Sequence, residues 1–502
     1  MNWTTRLRDD PAFLRRAFAA LLILAALARL YHLNAPLADR QSWNQVSAAT
    51  VIRHFVEDGI DPWRTQWDVL IGDRTGPRIE QQEAPLYHVA VALLAKIWGH
   101  AEATGRLLNI AASLLTALFL FRLARREADG AAAWFAAAIF LFAPFGWFFS
   151  RTVMSDVWML AMIVLGLERF ALWLEDSRGR HLCEAALATL LAGLLKPFAL
   201  HIGLAMLLLQ LARRGWRSLL DWRLVAFAVV TVAVPVAWVV YAARVGSLGD
   251  VVTTDESWLT ATRLWGKWSL LLSGGFWNRL QGRIFDQLAT PLATALALVA
   301  LLGGESRRQL RLAGAWLVAV LAYLLVVRDG NYMHDYYQLP FLPLIALTAG
   351  IGLGWLAKRA HPAWIALLLA GFLVWSALYV RTAFYLDWSS VRAGELVKSL
   401  SRPEDLIVSF DPGVTRKNQL IYAAHRRGWH IGAIDQHTAA LYAKRGAKWL
   451  VACLEDEQLA KHPRWEDELR ALPEVARESG PYGPRGERHT IVVYRLSPEK
   501  LP

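Results

Sequence analysis

Long apolar runs separated by short basic loops constrain this chain more than any other feature. A helix needs about 20 predominantly apolar residues to cross roughly 30 Å of hydrocarbon. Of the 502 residues, 55% are hydrophobic and only 19% are charged, whereas soluble chains carry roughly 25% charged residues. The candidate spans are 13–32, 105–123, 131–149, 156–174, 182–198, 199–213, 223–243, 287–303, 311–327, 339–357 and 363–381. The pattern predicts a polytopic α-helical membrane protein with about 11 transmembrane helices, and 13 as the upper count.

The distribution of Lys and Arg predicts which loops lie inside. We place the N-terminus inside and treat the short apolar segment Leu86–Trp98 as an interfacial helix, because every short inside loop is then basic, as cytoplasmic loops are. The inside clusters are Arg122/Arg125/Arg126, Arg178/Arg180, Arg213/Arg214/Arg217/Arg223, Arg307/Arg308/Arg311 and Lys358/Arg359. The C-terminus then lies outside. The net charge of +12 follows from this topology, so we expect no nucleic-acid partner.

The remaining sequence divides into external segments and a soluble tail. The long external segments are 33–104 and 245–286, and the bases and indoles of the second favour a helix on an anionic lipid surface. From about Asp387 the composition becomes that of a soluble α/β domain. Its predicted strands are Asp405–Phe410, Trp449–Leu454 and His489–Leu496, and its predicted helices are Arg416–Arg427 and Glu455–Leu472. We therefore expect a transmembrane domain at 1–386, with 33–104 as its first external loop, and a soluble domain at 387–502.

Three carboxylates follow or precede predicted spans at the outer face, where ionisable groups are costly unless they have a role. Asp39, if held by the next helix and partly desolvated, suits a general base, or it is simply the N-cap of that helix. Glu83 precedes the interfacial helix and is placed either to orient substrate or to cap the helix. Asp156 lies five residues after Arg151, so a structural ion pair between them is the alternative to a role in the reaction.

Cationic and phenolic side chains are predicted at the same face. Lys196 interrupts an apolar run, where it either snorkels to the interface or faces an anion. Lys196, Arg151, His334 and Tyr337 are the candidate residues for binding the phosphate of a lipid-anchored donor. Cationic side chains neutralise the charge that develops on the phosphate as its bond to the sugar breaks. A divalent ion is left open. Its candidate ligands are Asp39, Glu83, Asp156 and His334.

Six sequence blocks, in this order, carry a family resemblance. They are DRQSWNQVSAATVIRHFVEDGIDPW, EQQEAPLYHVAVALLAKIWG, ATGRLLNIAASLLTALFLFRLARR, FAPFGWFFSRTVMSDVWML, LLAGLLKPFAL and HDYYQLPFLPL. On these blocks the chain resembles the GT-C superfamily of membrane glycosyltransferases. It is most similar to the bacterial group that contains the protein mannosyltransferases and the aminoarabinose–lipid A transferases. The resemblance covers roughly residues 12–350.

The resemblance implies an inverting transfer of a hexose or pentose from a polyprenyl-phosphate carrier to an acceptor hydroxyl. The reaction would take place at the periplasmic face of a bacterial inner membrane, with the C-terminal domain in the periplasm. The catalytic acid after the first span of such enzymes corresponds to Asp39, and the acid of the second external turn to Asp156. Related sequences often read S-W-R-Q where this chain has Ser42-Trp43-Asn44-Gln45. A single acid in place of a pair departs from the protein mannosyltransferases and disfavours a protein acceptor, which stays an alternative beside a glycan or a lipid.

Two other functions fit the composition. A transporter or flippase of lipid-linked saccharides would also need many spans, but paired repeats and broken helices at the midplane are typical of transporters, and the sequence shows no repeat. A non-catalytic scaffold of an envelope complex is the third alternative. In that case the carboxylates at the outer face would be dispensable.

Overall fold

Each apolar segment predicted to span the membrane coincides with one or more helices in the computed structural model of the chain. The structure describes residues 1–245, 268–302, 307–411, 418–434, 436–461, 463–470 and 472–497. The chain forms two compact units. The first unit consists of Met1–Leu33, Gln81–Tyr87 and Ala103–Thr382, and the second of Asn34–Glu80, His88–Glu102 and Ala383–Pro502.

Eleven α-helices lie within the described residues 1–245. In chain order they are α1 (Trp3–Asp9), α2 (Pro11–Arg29), α3 (Ser42–Glu57), α4 (Leu86–Trp98), α5 (Ala101–Glu127), α6 (Gly130–Phe142), α7 (Pro144–Phe149), α8 (Asp156–Asp176), α9 (Gly179–Leu195), α10 (Ile202–Arg214) and α11 (Trp222–Val245). All but α3 and most of α4 belong to the first unit. Within the first unit, α8 packs along α9 and α1 and α2 pack against α6. Helix α4 has the bounds predicted for the interfacial helix, and its place at a membrane surface stays a prediction.

The remaining helices follow after residue 267. They are α12 (Gly274–Gly282), α13 (Pro291–Leu302), α14 (Arg307–Val326), α15 (Arg328–Met333), α16 (Phe341–Ala357), α17 (Pro362–Val380), α18 (Trp388–Leu400), α19 (Gln419–Ala424), α20 (Gln436–Lys444), α21 (Asp456–Lys461) and α22 (Pro463–Arg470). Part of the external segment predicted at 245–286, residues 246–267, lies outside the described residues. In the described part, Arg283 donates to the carbonyl oxygen of Asn331 over 2.8 Å, and Arg279 lies 4.2 Å from the ring centre of Tyr332.

Helix length and hydropathy establish a multi-pass helical membrane protein. Among the described residues, five helices are long and apolar enough to cross a bilayer, and a sixth crossing is added if the pair bent by 98° after Leu288 is one span. The five begin at Pro11, Ala101, Asp156, Trp222 and Pro362. Shorter apolar helices of 10–17 residues lie at Leu86–Trp98, Gly130–Phe142, Arg311–Val326 and Phe341–Ala357. The total of about 11 crossings therefore remains a prediction.

Proline decides where two predicted spans end. The sequence predicts one continuous span over 131–149, and this is wrong, because α6 ends at Phe142 and α7 begins at Pro144. Proline has no N–H to donate and its ring clashes with the preceding turn, so it is favoured at the start of a helix and tends to interrupt a helix that precedes it. The break predicted at Lys196 is confirmed: α9 ends at Leu195, Lys196 is extended, and a 3₁₀ turn follows.

Glycines let α16 approach two neighbouring helices at backbone distance. A Cβ on Gly350 would lie 2.5 Å from the backbone nitrogen of Ala136 on α6, and one on Gly354 would lie 3.0 Å from Ala132. Gly352 faces the backbone of α13 in the same way. Small residues at such crossings allow the close packing on which helix association in membranes depends.

We expect Gly350→Ala to lower the free energy of unfolding by about 1–3 kcal/mol, since overpacking displaces the backbone. Gly371→Ala on α17 is the matched control, because nothing lies within 4 Å of its Cβ and alanine is the better helix former by roughly 1 kcal/mol. Thermal unfolding of the detergent-solubilised protein measures both. Equal melting temperatures for the two variants would contradict the packing described.

The second unit contains a two-stranded ribbon of β1 (Gln66–Trp67) and β2 (Arg78–Ile79), followed by the strands β3 (Leu406–Phe410), β4 (Gly428–Ile431), β5 (Ala447–Glu455), β6 (Glu474–Gly480) and β7 (His489–Arg495). The last five form a mixed sheet with strand order β4-β3-β5-β7-β6. Strand β3 pairs in parallel with β4 and β5, and β7 is antiparallel to β5 and β6. The three predicted strands are present, whereas β4 and β6 were not predicted.

Two of the predicted C-terminal helices differ in extent. The segment predicted as one helix over Glu455–Leu472 is described as two helical pieces, Asp456–Lys461 and Pro463–Arg470, and residues 462 and 471 lie outside the described part. The helix predicted at Arg416–Arg427 is described only as Gln419–Ala424, and residues 412–417 lie outside the described part. Hydrophobic residues on both faces of the sheet are buried, as in a sheet covered by helices on each side.

Candidate active site

Two carboxylates and one lysine form a buried charge cluster in the first unit. Nζ of Lys196 lies 2.8 Å from Oε1 of Glu83 and 3.9 Å from Oδ2 of Asp156. Asp156 is only 1% exposed, and its side-chain oxygens accept no hydrogen bond from another residue in the described part of the chain. Of the alternatives for Lys196, the structure shows the one in which the ammonium faces anions. Glu83, Asp156 and Lys196 are thus brought together from three distant parts of the sequence.

Backbone geometry fixes the three groups in place. The N–H of Ala84 donates to the carbonyl of Leu194 over 3.0 Å, which holds Glu83 beside the end of α9. Asp156 is the first residue of α8. The hydroxyl of Ser155, one residue earlier, donates to Oε1 of Glu83 over 3.0 Å. The extended backbone of Lys196, imposed by Pro197, points the chain away from the helix axis at this position.

Buried arginines hold the turn that precedes Asp156. Arg29, with no exposed surface, donates to the Ser150 hydroxyl over 2.5 Å and to the Gly146 carbonyl over 3.1 Å. Arg151 donates to the carbonyl of His32 over 2.9 Å. The ion pair considered between Arg151 and Asp156 is not formed, because Asp156 faces Lys196. The guanidinium donors thus supply hydrogen-bond partners to backbone carbonyls around this buried turn.

His334 and Tyr337 lie together in the link between α15 and α16. Their ring centres are 5.5 Å apart, and the Tyr337 ring also lies 5.1 Å from that of Phe198, two residues beyond Lys196. Burial raises the pKa of Tyr337 to about 12, against the opposing effect of the Lys196 charge. The phenol therefore stays protonated at neutral pH and can donate a hydrogen bond near Lys196.

Asp39 belongs to the second unit, where it is 5% exposed. Nε2 of Gln45 donates to Oδ1 of Asp39 over 2.6 Å. The residues on either side of Asp39 make backbone hydrogen bonds. The N–H of Arg40 donates to the carbonyl oxygen of Ala383, and the carbonyl oxygen of Ala38 accepts from the N–H of Asp387. The N-cap of α3 is Gln41, so the alternative in which Asp39 caps this helix is wrong. The carboxylate of Asp39 is therefore buried, it is oriented by the side-chain amide of Gln45, and backbone hydrogen bonds hold the residues next to it.

Helix α3 carries a histidine, His54, that contacts two carboxylates. Its Nε2 lies 3.0 Å from Oδ1 of Asp68 and its Nδ1 lies 2.7 Å from Oδ2 of Asp58, while Arg53 also pairs with Asp68. Burial lowers the pKa of His54, but the hydrogen bonds to the two carboxylates outweigh burial and raise the pKa above its usual value. A raised pKa in the folded state means that protonated His54 stabilises the fold.

This stabilisation is expected to be complete below the unfolded-state pKa of roughly 6.5 and to be lost as pH rises through the higher folded-state pKa. We expect the melting temperature to fall over this window by about 1 °C for each kcal/mol lost, and we expect the fall to be smaller in His54→Gln. Thermal unfolding at a series of pH values measures this pH dependence of the melting temperature. The control is His437→Gln, since His437 is exposed. A fall equally steep in His54→Gln would contradict the assignment.

No group of three or more His, Cys, Asp or Glu side chains in the described ranges is arranged to hold a metal ion. Between Glu83 and Asp156 the positive charge is supplied by Lys196. The carboxylates of this cluster are thus balanced in part by a side chain of the protein itself.

Three polar residues at these sites were missed from the sequence. They are Gln45, which binds Asp39, Ser155, which binds Glu83, and Asn109, whose side-chain nitrogen donates to the carbonyl of Met154 over 2.7 Å. None belongs to a motif with a chemical meaning of its own. The signals that the sequence offers are that Ser155 adjoins Asp156 and that Gln45 lies in the block Ser42-Trp43-Asn44-Gln45, six residues after Asp39. Asn109 lies inside an apolar helix, where a buried amide needs a partner.

Comparison with known proteins supports the family resemblance. Residues 82–241 match the family described as dolichyl-phosphate-mannose-protein mannosyltransferase, and this stretch contains Glu83, Arg151, Asp156 and Lys196. The fold of the whole chain matches ArnT from Cupriavidus metallidurans, solved bound to undecaprenyl phosphate, with a TM-score of 0.60 at 15% identity. The match covers 97% of this chain and 98% of ArnT. This chain has the fold of a GT-C membrane glycosyltransferase.

Two further solved structures share the GT-C fold. The archaeal oligosaccharyltransferase AglB from Archaeoglobus fulgidus, in complex with an inhibitory peptide and a dolichol-phosphate, matches with a TM-score of 0.57 at 13% identity. That match covers 97% of this chain and 75% of AglB. Arabinofuranosyltransferase AftD from Mycobacteria matches with a TM-score of 0.54 at 15% identity, over 96% of this chain and 42% of AftD. No curated protein sequence matches the chain.

Proposed function

We propose that this protein transfers a hexose or pentose from a polyprenyl-phosphate carrier to an acceptor hydroxyl at the periplasmic face of a bacterial inner membrane. The acceptor is a glycan, a lipid or a protein. The proposal includes about 11 membrane crossings and a periplasmic domain over residues 387–502. The family match and the GT-C fold support the reaction class, and the undecaprenyl phosphate in ArnT supports the type of carrier.

The observation that carries the proposal is the buried carboxylate of Asp156 beside Lys196. A carboxylate that is 1% exposed and accepts no hydrogen bond from the described residues pays a desolvation cost of several kcal/mol unless a ligand satisfies it. Hydroxyl groups of a sugar are donors of the required kind, and Lys196 is placed to attract a phosphate. Glu83 holds the ammonium in position from the other side.

In the proposed reaction Asp39 removes the proton of the acceptor hydroxyl as the oxygen attacks the anomeric carbon of the donor. The bond between that carbon and the phosphate oxygen breaks, and the phosphate leaves with the electron pair. Lys196, Arg151, His334 and Tyr337 are proposed to bind the departing phosphate, whose charge increases as the bond breaks. A single displacement of this kind inverts the anomeric carbon. Glu83 and Asp156 orient the sugar or a divalent ion that accompanies it.

A purified-protein assay with a panel of polyprenyl-phosphate sugars tests the reaction. We expect one donor to release polyprenyl phosphate together with a product of opposite anomeric configuration, read by NMR of the isolated glycoside. A product that keeps the donor's configuration would exclude the single displacement with Asp39 as base.

Asp156→Asn is expected to lower kcat/KM by roughly 10- to 100-fold, because one charge-assisted hydrogen bond, worth about 1.5–3 kcal/mol, is lost from the substrate. Asp176→Asn, at the far end of the same helix α8, is the matched control and should keep wild-type kinetics. Steady-state kinetics with the accepted donor measure both. Unchanged kcat/KM in Asp156→Asn would remove this residue from the site.

A further inference from the structure

A basic cleft lies in the first unit between the ends of α5 and α8. It has a volume of about 560 Å³ and is open to solvent, and it is lined by Phe121, Arg122, Arg125, Arg126, Glu168 and Arg169. A volume of this size lies within the range of small-molecule sites, roughly 300–1,000 Å³. The proposed glycosyl transfer uses none of these residues.

The charges of the cleft do not balance. The buried carboxylate of Glu168 lies 2.9 Å from Arg126 and 3.0 Å from Arg169, and Arg169 also reaches Glu184 at 3.2 Å. Arg122 and Arg125 are exposed, and neither has a side-chain partner within the described part of the chain. The lining carries four guanidinium groups and one carboxylate. The cleft is therefore strongly cationic.

The arrangement of the arginines suits one anion. Arg122, Arg125 and Arg126 stand at positions i, i+3 and i+4 of α5, which places them on one face of the helix. Ion pairs with Glu168 fix the guanidinium groups of Arg126 and Arg169, and the excess positive charge of the cleft comes from Arg122 and Arg125. Arginine binds phosphate through paired N–H donors, and several such groups around one concavity form a phosphate site.

The cleft is separate from the proposed active site. Glu168 follows Asp156 by twelve residues on the continuous helix α8, which corresponds to about 18 Å along the helix axis. Arg122 likewise lies near the end of α5 remote from Arg106. The positive-inside pattern places these ends of α5 and α8 at the cytoplasmic surface. The cytoplasmic leaflet contains anionic lipid headgroups.

We propose that this cleft binds the phosphate group of an anionic phospholipid at the cytoplasmic surface. Phe121, 8% exposed, supplies an apolar wall for the adjoining lipid chain. The positive-inside rule explains why basic residues are found at this surface. It does not explain why four arginines line one cavity and why two of them share the buried carboxylate of Glu168. The same guanidinium groups would accept inorganic phosphate, so the test separates the two sources.

The test measures ligand-dependent melting temperature of the full chain in neutral detergent at low ionic strength. Micelles doped with phosphatidylglycerol or with phosphatidylcholine form one comparison, and inorganic phosphate against chloride at equal ionic strength forms the other. The variant is Arg122→Gln/Arg125→Gln, which leaves the ion pairs of Glu168 intact. The matched control is Arg217→Gln/Arg223→Gln, two exposed arginines on another predicted cytoplasmic loop with the same change in charge.

Saturable stabilisation by phosphatidylglycerol is expected in the wild type and in the control, with apparent affinity at least about tenfold weaker in Arg122→Gln/Arg125→Gln. Stabilisation by inorganic phosphate as well, lost in the same variant, would support the site with free phosphate as a second ligand. The proposal is overturned if the wild type shows no saturable stabilisation. It is equally overturned if the variant and the control lose the same affinity, since the effect would then come from overall charge.

Discussion

Asp39→Asn is expected to reduce sugar transfer by roughly 10²–10⁴-fold, the usual contribution of a general base, while the protein remains folded. The amide has nearly the shape of the carboxylate, and it still accepts the hydrogen bond that Gln45 donates. What it cannot do is take a proton from the acceptor hydroxyl. The loss should therefore fall on kcat, with the melting temperature close to that of the wild type.

The matched control is Asp61→Asn, an exposed carboxylate in the same external segment whose oxygen accepts from the backbone N–H of Trp63. It should keep full activity. Initial rates of polyprenyl-phosphate release, measured beside thermal unfolding, separate lost chemistry from lost structure. Wild-type turnover in Asp39→Asn would show that Asp39 is not the general base.

Lys196→Met is expected to have the largest effect on stability, about 3–5 kcal/mol. Breaking a buried ion pair from one side leaves an uncompensated charge, and here the carboxylates of both Glu83 and Asp156 lose their cation. The side chain of Lys196 is only 14% exposed, so solvent screens little of the loss. Activity should fall as well, because the group proposed to meet the departing phosphate is absent.

A double-mutant cycle makes the second prediction specific. Glu83→Gln in the Lys196→Met background should restore part of the lost stability, with a coupling energy of roughly 0.5–3 kcal/mol. It should not restore activity. Lys96→Met, an exposed lysine on α4, is the control and should be near neutral. Additive effects of the two substitutions would mean that Lys196 and Glu83 do not interact as described.

Long helices were predictable from the sequence because length and apolarity are local properties. Helices α2, α5, α8, α11 and α17 begin and end within a few residues of the predicted spans. The error at 131–149 came from reading hydropathy across Pro144 without its steric effect. Strand β6 was missed because its sequence Glu474–Gly480 is charged and mostly exposed at the sheet edge, so the apolar alternation that marks a strand is absent.

The candidate site was predictable in its residue types but not in its contacts. Glu83 and Lys196 are 113 residues apart, and no spacing rule joins them. The alternative pairing of Arg151 with Asp156 relied on proximity along the chain, whereas tertiary packing supplied each with a different neighbour. Gln45 could not be recognised as the partner of Asp39, since a glutamine six residues away has no signature until the turn at Gln41 is known.

The most direct test of the central claim uses the purified protein in proteoliposomes with the accepted polyprenyl-phosphate sugar and an acceptor. The measurement follows both the release of polyprenyl phosphate and the movement of intact donor between leaflets. We predict acceptor-dependent release of polyprenyl phosphate with a new glycosidic bond, and no protein-dependent movement of the donor. Movement of the intact donor without any release would contradict glycosyl transfer and identify a flippase.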